Sequence, residues 1–392
     1  MRSVELFAGA GGLAIGMCEA GFNHAAVLEW DHDACETLRA NQLRSSNSSK
    51  SWPIHEGDVR SFDYASLRNI DVVSGGPPCQ PFSLGGKHKG QHDGRDMFPE
   101  AVRAVRELRP KAFIFENVKG LLRQSFSTYL QYVLLQLSYP ELVRRHGEDW
   151  HSHLSRLEQH QTANANRKAE GLAYNLVFEL VNSANYGVPQ KRERFIIVGF
   201  RSDVGARWSF PEYTHSHDAL LHDQWVSGSY WERHKVVKRN RPVLSPRLAS
   251  RIHRLREDAI EASTVKPWAT VRDAIFDLPD PEKKVTNQFL NHRFNPGARA
   301  YPGHTGSPLD EPAKTLKAGD HGVPGGENML ARPDGSVRYF TVREAARLQT
   351  FPDSYEFFGS WSETMRQLGN AVPVKLGETI AASVVRALKA KK

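Results

Sequence analysis

Cysteine is scarce in this sequence, with only Cys18, Cys35 and Cys79 among 392 residues. An odd number this small excludes a disulfide scaffold. No apolar run approaches the roughly 18 residues that a membrane-spanning helix needs. The first residues, Met1–Glu5, carry an acid too early for a secretion signal and lead directly into glycines. We therefore predict a reduced, cytoplasmic protein and exclude the membrane, secreted and fibrous classes.

The composition is that of a globular protein, since 40% of the residues are hydrophobic and 24% are charged. The length predicts more than one domain. Lysine and arginine number 52 against 44 acidic residues, a formal net charge of +8. Nine of these basic residues lie between Tyr230 and Arg256, where Glu232 is the one acid. This basic window indicates either a solvated charged face or contact with the phosphates of a polyanion.

The first 200 residues alternate between apolar runs and helical patterns, which favours a parallel, doubly wound α/β sheet. A helical pattern runs through Leu13, Met17 and Glu19, and further helices are predicted over His32–Asn41 and Met97–Leu108. The predicted strands are Val4–Phe7, Ala25–Glu29, Asp71–Ser74, Ala112–Glu116, Tyr174–Leu180 and Arg194–Phe200. Residues 206–335 are rich in Pro, Gly, His and Arg and show little periodicity. A helical pattern returns at Thr341–Leu348, and an amphipathic helix is predicted over Val374–Ala390.

A glycine-rich turn, Phe7–Gly12, follows the first strand and opens a helix, which is the context in which such turns bind ligands. Glu29 ends the second strand, where similar folds bind a ribose hydroxyl pair. Trp30 offers a flat face to an adenine ring, and Asp58 follows the next strand and could accept from the adenine amino group. The alternative is that Glu29 and Asp58 are helix caps and Trp30 is a core residue.

Cys79 lies in Gly75–Ser83 directly after a strand, between prolines that stiffen the backbone. This is where open α/β sheets place their ligands, and a thiolate is favoured there by nearby cations. A glycine-containing segment, Leu84–Arg95, follows and resembles a mobile lid. Glu116 ends the next strand, and Gln190–Arg194 precedes another. A thiol, an acid and an arginine that converge predict covalent catalysis, whereas Cys18 and Cys35 are expected to be inert helix residues.

Across nearly its whole length the chain resembles the DNA (cytosine-5)-methyltransferase family, in the bacterial restriction-modification branch. The motifs that carry the resemblance occur in the family's order and are Phe7–Gly12, Glu29–Asp31, Asp58, Gly76–Gln80, Glu116–Val118, Gln190–Arg194, Arg343–Gln349 and Gln367–Pro373. The segment Trp268–Pro281 is similar to the family's connector into the recognition domain. The resemblance implies a Rossmann-like methyltransferase sheet in residues 1–205, completed by 360–392, and a smaller, irregular target-recognition domain in residues 206–359.

The resemblance also assigns residues to roles. The implied catalytic residues are Cys79, Glu116, Arg192 and Arg194. The implied S-adenosylmethionine contacts are Phe7, Gly9, Gly11, Gly12, Glu29, Trp30, Asp58, Pro78, Asn370 and Val372. Expected contacts with DNA are Ser83, Arg233, Lys235, Lys238, Arg239 and Arg241. The turns at residues 303–306 and 319–322 are candidates for base-reading loops. No metal is expected, because the pairs His151/His153 and His215/His217 lack further ligands at suitable spacing.

In the implied reaction, Cys79 adds to C6 of a flipped-out cytosine, Glu116 acts at N3 and Arg194 holds O2, while Arg192 organises the site. The expected partners are double-stranded DNA and, functionally, a cognate restriction endonuclease, for a monomeric enzyme that acts on the nucleoid. Two alternatives remain: a tRNA cytosine-5 methyltransferase, whose branch carries a later Cys-Phe-Thr motif that is absent here, and a catalytically silent DNA-binding regulator. An amino-methyltransferase would carry an aromatic residue after Pro-Pro rather than Cys79.

Overall fold

The computed structural model describes residues 1–42, 52–78, 96–164, 171–257, 265–283, 288–318 and 326–390. Chain contacts divide it into two compact units. Unit 1 consists of residues 1–181, 193–211 and 377–392, and unit 2 consists of residues 182–192 and 212–376. The assignment of residues 206–359 to target recognition stays a prediction.

Unit 1 is built on a seven-stranded sheet in the order β3-β2-β1-β4-β5-β7-β6. The strands are β1 (Arg2–Leu6), β2 (Asn23–Glu29), β3 (Ile54–Glu56), β4 (Val72–Gly75), β5 (Ala112–Val118), β6 (Tyr174–Asn182) and β7 (Glu193–Arg201). Strands β1 to β5 pair with one another in parallel, whereas β7 pairs with β5 in the antiparallel direction. Because β1 leads to β2 on one side while β4 lies on its other side, the topological switch point falls between β1 and β4, where such sheets bind ligands.

The helices of unit 1 bury the apolar faces that the sequence pattern predicts. They are α1 (Gly12–Glu19), α2 (His32–Gln42), α3 (Phe98–Leu108), α4 (Ser127–Ser138) and α5 (Trp150–Asn164). Side chains such as Val102 of α3 and Val133 of α4 join the same buried cluster as Val73 and Phe113 of the sheet. The predicted strands and the helices α1 to α3 are therefore confirmed.

Unit 2 has little regular structure and depends on small clusters and buried polar contacts. Its strands are β8 (His215–Ser216), β9 (Lys266–Pro267), β10 (Ser307–Pro308), β11 (Met329–Ala331) and β12 (Val337–Tyr339). Its helices are α6 (His217–Trp225), α7 (Ser229–Arg233), α8 (Pro246–Glu257), α9 (Val271–Ile275), α10 (Val342–Leu348) and α11 (Trp361–Asn370), followed by α12 (Val374–Lys389), which belongs to unit 1 from Gly377 onward. None of the helices in the described ranges is long and apolar enough to cross a membrane.

Two kinds of contact hold unit 2 together. Trp231 of α7 is 1% exposed and packs in a cluster with Leu220 and Val236. The neighbouring Tyr230 hydroxyl lies 2.9 Å from Thr270 Oγ1 and 3.0 Å from Asp310 Oδ1. These contacts join segments up to 80 residues apart, which explains why local periodicity says little about this region.

Glu5 on β1 provides a test of the packing at the switch point. It is 1% exposed and accepts a short hydrogen bond from Ser74 Oγ on β4. Burial raises the pKa of this carboxyl to about 8, and the Ser74 bond offsets the rise only partly. Since the folded pKa lies above the unfolded value of 4.5, the folded state keeps a proton that the unfolded state has lost, and stability falls as pH rises between these two values.

We expect Glu5→Gln to remove this dependence. The difference in free energy of unfolding, variant minus wild type, should grow from about pH 4.5 to about pH 8 and then level off. Urea denaturation at closely spaced pH values measures it. A constant difference across this range would contradict a protonated, buried Glu5.

In unit 2, Arg338 and Glu344 form a buried pair with two bonds of 2.6 and 2.5 Å. We expect Glu344→Gln to lower the free energy of unfolding by about 3 kcal/mol, because it leaves a buried guanidinium without its counter-charge. The amide still accepts the helix-capping bond that Thr341 N donates to Glu344. Asp218→Asn is the control. Asp218 and its partner Arg251 are 42% and 47% exposed, so this substitution should lower the free energy of unfolding by less than about 1 kcal/mol. Equal losses for the two variants would contradict this assignment.

Candidate active site

The glycine-rich turn between β1 and α1 is held in left-handed backbone conformations. Phe7, Gly9 and Gly11 have φ angles of 55°, 53° and 81°. Gly11 N donates to Ala8 O over 2.9 Å and closes the turn. A Cβ atom added to Gly9 would meet nothing within 4 Å. The space beside Gly9 is therefore open, whereas Gly11 and Gly12 are buried. The ligand contacts predicted for Phe7, Gly9, Gly11 and Gly12 stay predictions.

Glu29 ties this turn to the end of β2, a role that sequence reasoning missed. One carboxylate oxygen accepts from Gly9 N over 2.7 Å, and the other accepts from the backbone of Trp30 and Asp31 over 2.9 Å. Glu29 is 7% exposed. Burial raises its pKa, and these three backbone donors act in the opposite direction. It does not cap α2, because Asp31 accepts from Ala34 N at the start of that helix.

Trp30 is exposed to solvent, whereas the carboxylate of Asp58 is already bound to neighbouring groups. Trp30 is 72% exposed, so the alternative interpretation as a core residue is wrong. Asp58 caps the short helical turn Val59–Ser61 and pairs with Arg60, whose hydrogen bonds lower the pKa of Asp58. The capping alternative therefore holds for Asp58. Gly57 N donates to Glu29 O over 2.9 Å and connects the two strand ends.

The segment Gly76–Pro78 runs from β4 along the end of β5. A Cβ atom on Gly76 would lie 3.2 Å from Glu116 Oε2. Asn117 Nδ2 donates to Pro77 O over 3.0 Å, and Pro78 O accepts from Met97 N over 3.1 Å at the start of α3. The predicted nucleophile Cys79, the predicted DNA contact Ser83 and the lid at Leu84–Arg95 lie outside the described residues.

Glu116 and Arg194 form a buried ion pair at the same edge of the sheet. Glu116 Oε1 lies 2.5 Å from Arg194 Nε, and each residue is 8% exposed. The pair is possible because the antiparallel register places Arg194 opposite Val118, two positions from Glu116 and on the same face. Burial lowers the pKa of Arg194 from its ordinary value, and Glu116 acts against that shift. The sequence predicted both residues for the site without predicting that they pair.

Arg192 belongs to unit 2 and is completely buried. Its guanidinium donates to Leu316 O over 3.1 Å and to Gly369 O over 2.6 Å. Asn370 and Val372 also lie in unit 2, at the end of α11 and directly after it. Asn370 is exposed, whereas Val372 is buried.

The predicted DNA contacts in the basic window lie on the surface of unit 2. Arg233 donates to Asp223 over 3.0 Å. Arg241 stacks on Trp231, with its guanidinium carbon 5.4 Å from the ring centre. Three further residues are exposed and make no ion pair with a described residue: Lys235, Lys238 and Arg239. The predicted turn at residues 303–306 is described, with φ of 83° at Gly303 and 76° at Gly306, whereas the turn at 319–322 lies outside the described residues.

The other two cysteines are poor nucleophiles. Cys18 is half-buried in α1 and Cys35 is buried in α2. Burial raises the pKa of the Cys18 thiol to about 11 and that of Cys35 to about 12, so both thiols stay protonated at neutral pH. In the described part of the chain, no group of three or more His, Cys, Asp or Glu side chains is arranged to hold a metal ion; the expectation of no metal stays a prediction.

Comparison with known proteins identifies the family. The model of the C-5 cytosine-specific DNA methylase family matches residues 1–139 and 152–386. The Type II methyltransferase M.NgoMIV of Neisseria gonorrhoeae is 29% identical over 99% of this chain and 98% of its own length. M.Eco47II of Escherichia coli is 34% identical over 98% of this chain and 79% of its own.

Solved structures show the same fold. A putative DNA modification methyltransferase from an Escherichia coli prophage has a TM-score of 0.58 at 19% identity, covering 99% of both chains. The Dnmt2 methyltransferase of S. pombe has a TM-score of 0.55 at 16% identity, with the same coverage. The predicted Rossmann-like methyltransferase fold is therefore confirmed. Family membership also supports S-adenosylmethionine as the methyl donor. The chain belongs to the C-5 cytosine-specific DNA methylase family and is a DNA (cytosine-5)-methyltransferase.

Proposed function

We propose that this enzyme methylates C5 of a cytosine flipped out of a short, specific duplex sequence, through a temporary bond between Cys79 Sγ and cytosine C6. The observation that carries the proposal is the buried Glu116–Arg194 pair beside Gly76–Pro78. Cys79 follows Pro78 directly in the sequence. The acid and the guanidinium lie at one edge of the sheet, where α/β folds bind ligands, and we propose that the thiol acts beside them.

Each of these groups has a distinct task. The Cys79 thiolate adds to C6, and the ring electrons move toward N3 and C5. Glu116 is assigned to N3, where a proton shared between the carboxyl group and the ring lets the ring accept that density. S-adenosylmethionine, when bound, supplies an electrophilic methyl group, which C5 takes as the carbon–sulfur bond breaks. C5 then gives its proton to water, the proton at N3 returns to Glu116, and the bond from C6 to Cys79 Sγ breaks as the C5–C6 double bond forms again.

Arg194 is suited to hold the O2 oxygen of the base. Its Nε contacts Glu116, and its Nη1 donates to Glu193 O over 2.8 Å. Within the described ranges, no protein acceptor is seen for Nη2. An arginine has five N–H donors in a fixed plane, so the remaining donors can bind O2 and stabilise charge on the ring.

Residues at the carboxyl edge of the sheet fit S-adenosylmethionine. We propose that Phe7, Gly9, Gly11 and Gly12 contact it through the open turn, and that Glu29 accepts from its ribose hydroxyls. Trp30 offers an exposed ring to adenine, and Asp58 offers a carboxylate that stays ionised because Arg60 lowers its pKa. Pro78, Asn370 and Val372 complete the proposed set. We propose that no metal takes part.

The substrate proposal depends on the basic window. We propose that Arg233, Lys235, Lys238, Arg239 and Arg241, together with Ser83, contact DNA, chiefly through phosphates. The Type II names of the relatives support a role in protecting bacterial DNA beside a cognate restriction endonuclease. We further propose a monomer in the bacterial cytoplasm, acting on nucleoid DNA.

The covalent step is tested with duplex DNA that carries 5-fluorocytosine at the target, where fluorine replaces the proton that must leave. With S-adenosylmethionine the wild type should form an adduct that survives a denaturing gel, and Cys79→Ala should abolish both adduct and methylation. Glu116→Gln should slow adduct formation by about 100-fold or more.

Cys18→Ala is the matched control and should leave the adduct unchanged, because burial raises the pKa of that thiol to about 11. Methylation by Cys79→Ala would overturn the mechanism.

The RNA alternative is tested by assaying a tRNA transcript beside the DNA duplex. Methylation of the transcript alone would favour that alternative. Bisulfite sequencing of DNA from cells that express the protein identifies the recognised sequence.

The donor site is tested with Trp30→Ala. Loss of a stacking ring should raise the Kd of S-adenosylmethionine about tenfold, measured by isothermal titration calorimetry. The free energy of unfolding should stay within about 0.5 kcal/mol of wild type, because Trp30 is mostly exposed. Phe178→Ala, on the edge strand β6 and 47% exposed, should leave the Kd unchanged. An unaltered Kd for Trp30→Ala would exclude Trp30 from the donor site.

A further inference from the structure

Pro242 and Val243 form a short exposed tip between two anchored neighbours. On one side, Arg241 stacks on the buried Trp231 and makes a long, 3.5 Å contact from Nε to Val236 O. On the other side, Leu244 packs against the buried cluster of Leu221, Ile252 and Leu255. Proline fixes its own φ angle. The tip is therefore held by two apolar clusters of unit 2, one on each side, and has little freedom of its own.

Val243 is 98% exposed, the highest value among the large apolar side chains of the described residues. Val236 and Val237 in the same segment are 9% and 53% exposed. An isolated exposed apolar residue is common on protein surfaces. Here, however, the contacts of Arg241 and Leu244 hold Val243 in an exposed position. A side chain that is already ordered loses little entropy when a partner covers it.

Cations flank the tip on both sides in the chain. Those that are exposed and make no ion pair with a described residue are Lys235, Lys238 and Arg239 before it and Arg247, Arg254 and Arg256 after it. Arg247 and Arg254 are seven residues apart on α8, so they lie on the same face of that helix, next to the face that buries Ile252 and Leu255. From Lys235 to Arg256 the sequence contains no acidic residue.

An exposed apolar side chain with cations before and after it in the chain matches the surface of duplex DNA. Two rows of phosphates border each groove, and the groove floor presents base edges that include the apolar thymine methyl group. An acidic protein surface would match the cations but would offer no comparable apolar strip between them. The occupant that fits this tip is a DNA groove.

We infer that Val243 enters a groove of the bound duplex and contacts base edges, while the flanking cations bind phosphates. The inference rests on the proposed function of the basic window. It assigns to Val243 a share of the affinity that does not depend on salt, since the salt dependence comes from phosphate contacts. Val243 is thus a recognition residue and takes no part in the chemistry.

The test measures the Kd of the full-length protein for a labelled duplex that contains its recognised sequence, between roughly 50 and 200 mM salt. Val243→Ala removes two methyl groups and should raise Kd about tenfold at every salt concentration, leaving the slope of log Kd against log salt unchanged. The double variant Lys238→Ala, Arg239→Ala should reduce that slope by about 2. Val237→Ala is the matched control and should change neither quantity.

The outcomes separate the two levels of the proposal. If Val243→Ala leaves Kd unchanged while the double variant reduces the slope, the basic window binds phosphates and the inference about Val243 is wrong. If the double variant leaves the slope unchanged, phosphate binding by this segment is wrong and the inference fails with it. A changed slope for Val243→Ala would also overturn it. Urea denaturation of Val243→Ala should match wild type, because the side chain is exposed.

Discussion

The site depends on the direction of β7, which runs antiparallel to its neighbour β5. In a parallel sheet every strand brings its carboxyl end to the ligand edge, so a residue at the start of a strand lies at the opposite edge. Because β7 is antiparallel to β5, its first residues reach the same edge as Glu116. The antiparallel direction of β7 is what allows Arg194 to pair with Glu116. A buried carboxylate and guanidinium need such close geometry, since either charge without the other is strongly destabilising.

Two buried carboxylates serve the two halves of this edge in the same way. Glu116 fixes the guanidinium that we assign to the base, and Glu29 fixes the backbone turn that we assign to the methyl donor. Glu29 ends β2, where the chain leaves the sheet and its backbone donors lose their strand partners. Its carboxylate accepts from three of these donors, whereas Glu116, two residues before the end of β5, pairs with a side chain. The contacts of Glu29 order the glycine-rich turn before any ligand binds, which reduces the entropy lost on binding.

Local patterns in the sequence predicted most of unit 1 and little of unit 2. The helix predicted over Met97–Leu108 is α3 at Phe98–Leu108, because its apolar positions repeat with the period of a helix that covers a sheet. The direction of β7 has no such local signal, so the Glu116–Arg194 pair could not be foreseen. Glu29 was predicted as a ligand contact, but its three backbone donors depend on how β1 and β2 lie side by side.

Arg192 and Arg194 show how far two neighbouring residues of one motif can differ. A motif places both near the chemistry, but the chain passes from unit 2 to unit 1 between residues 192 and 193. Arg192 is fully buried and donates to carbonyls 124 and 177 residues away. To touch a base it would have to give up these bonds and leave two buried carbonyls short of a donor, at about 1–3 kcal/mol each. Arg194 has donors to spare and needs no such exchange. We therefore infer that Arg194 contacts the base, and that Arg192 acts as a positioning residue by fixing the segments of unit 2 to one another.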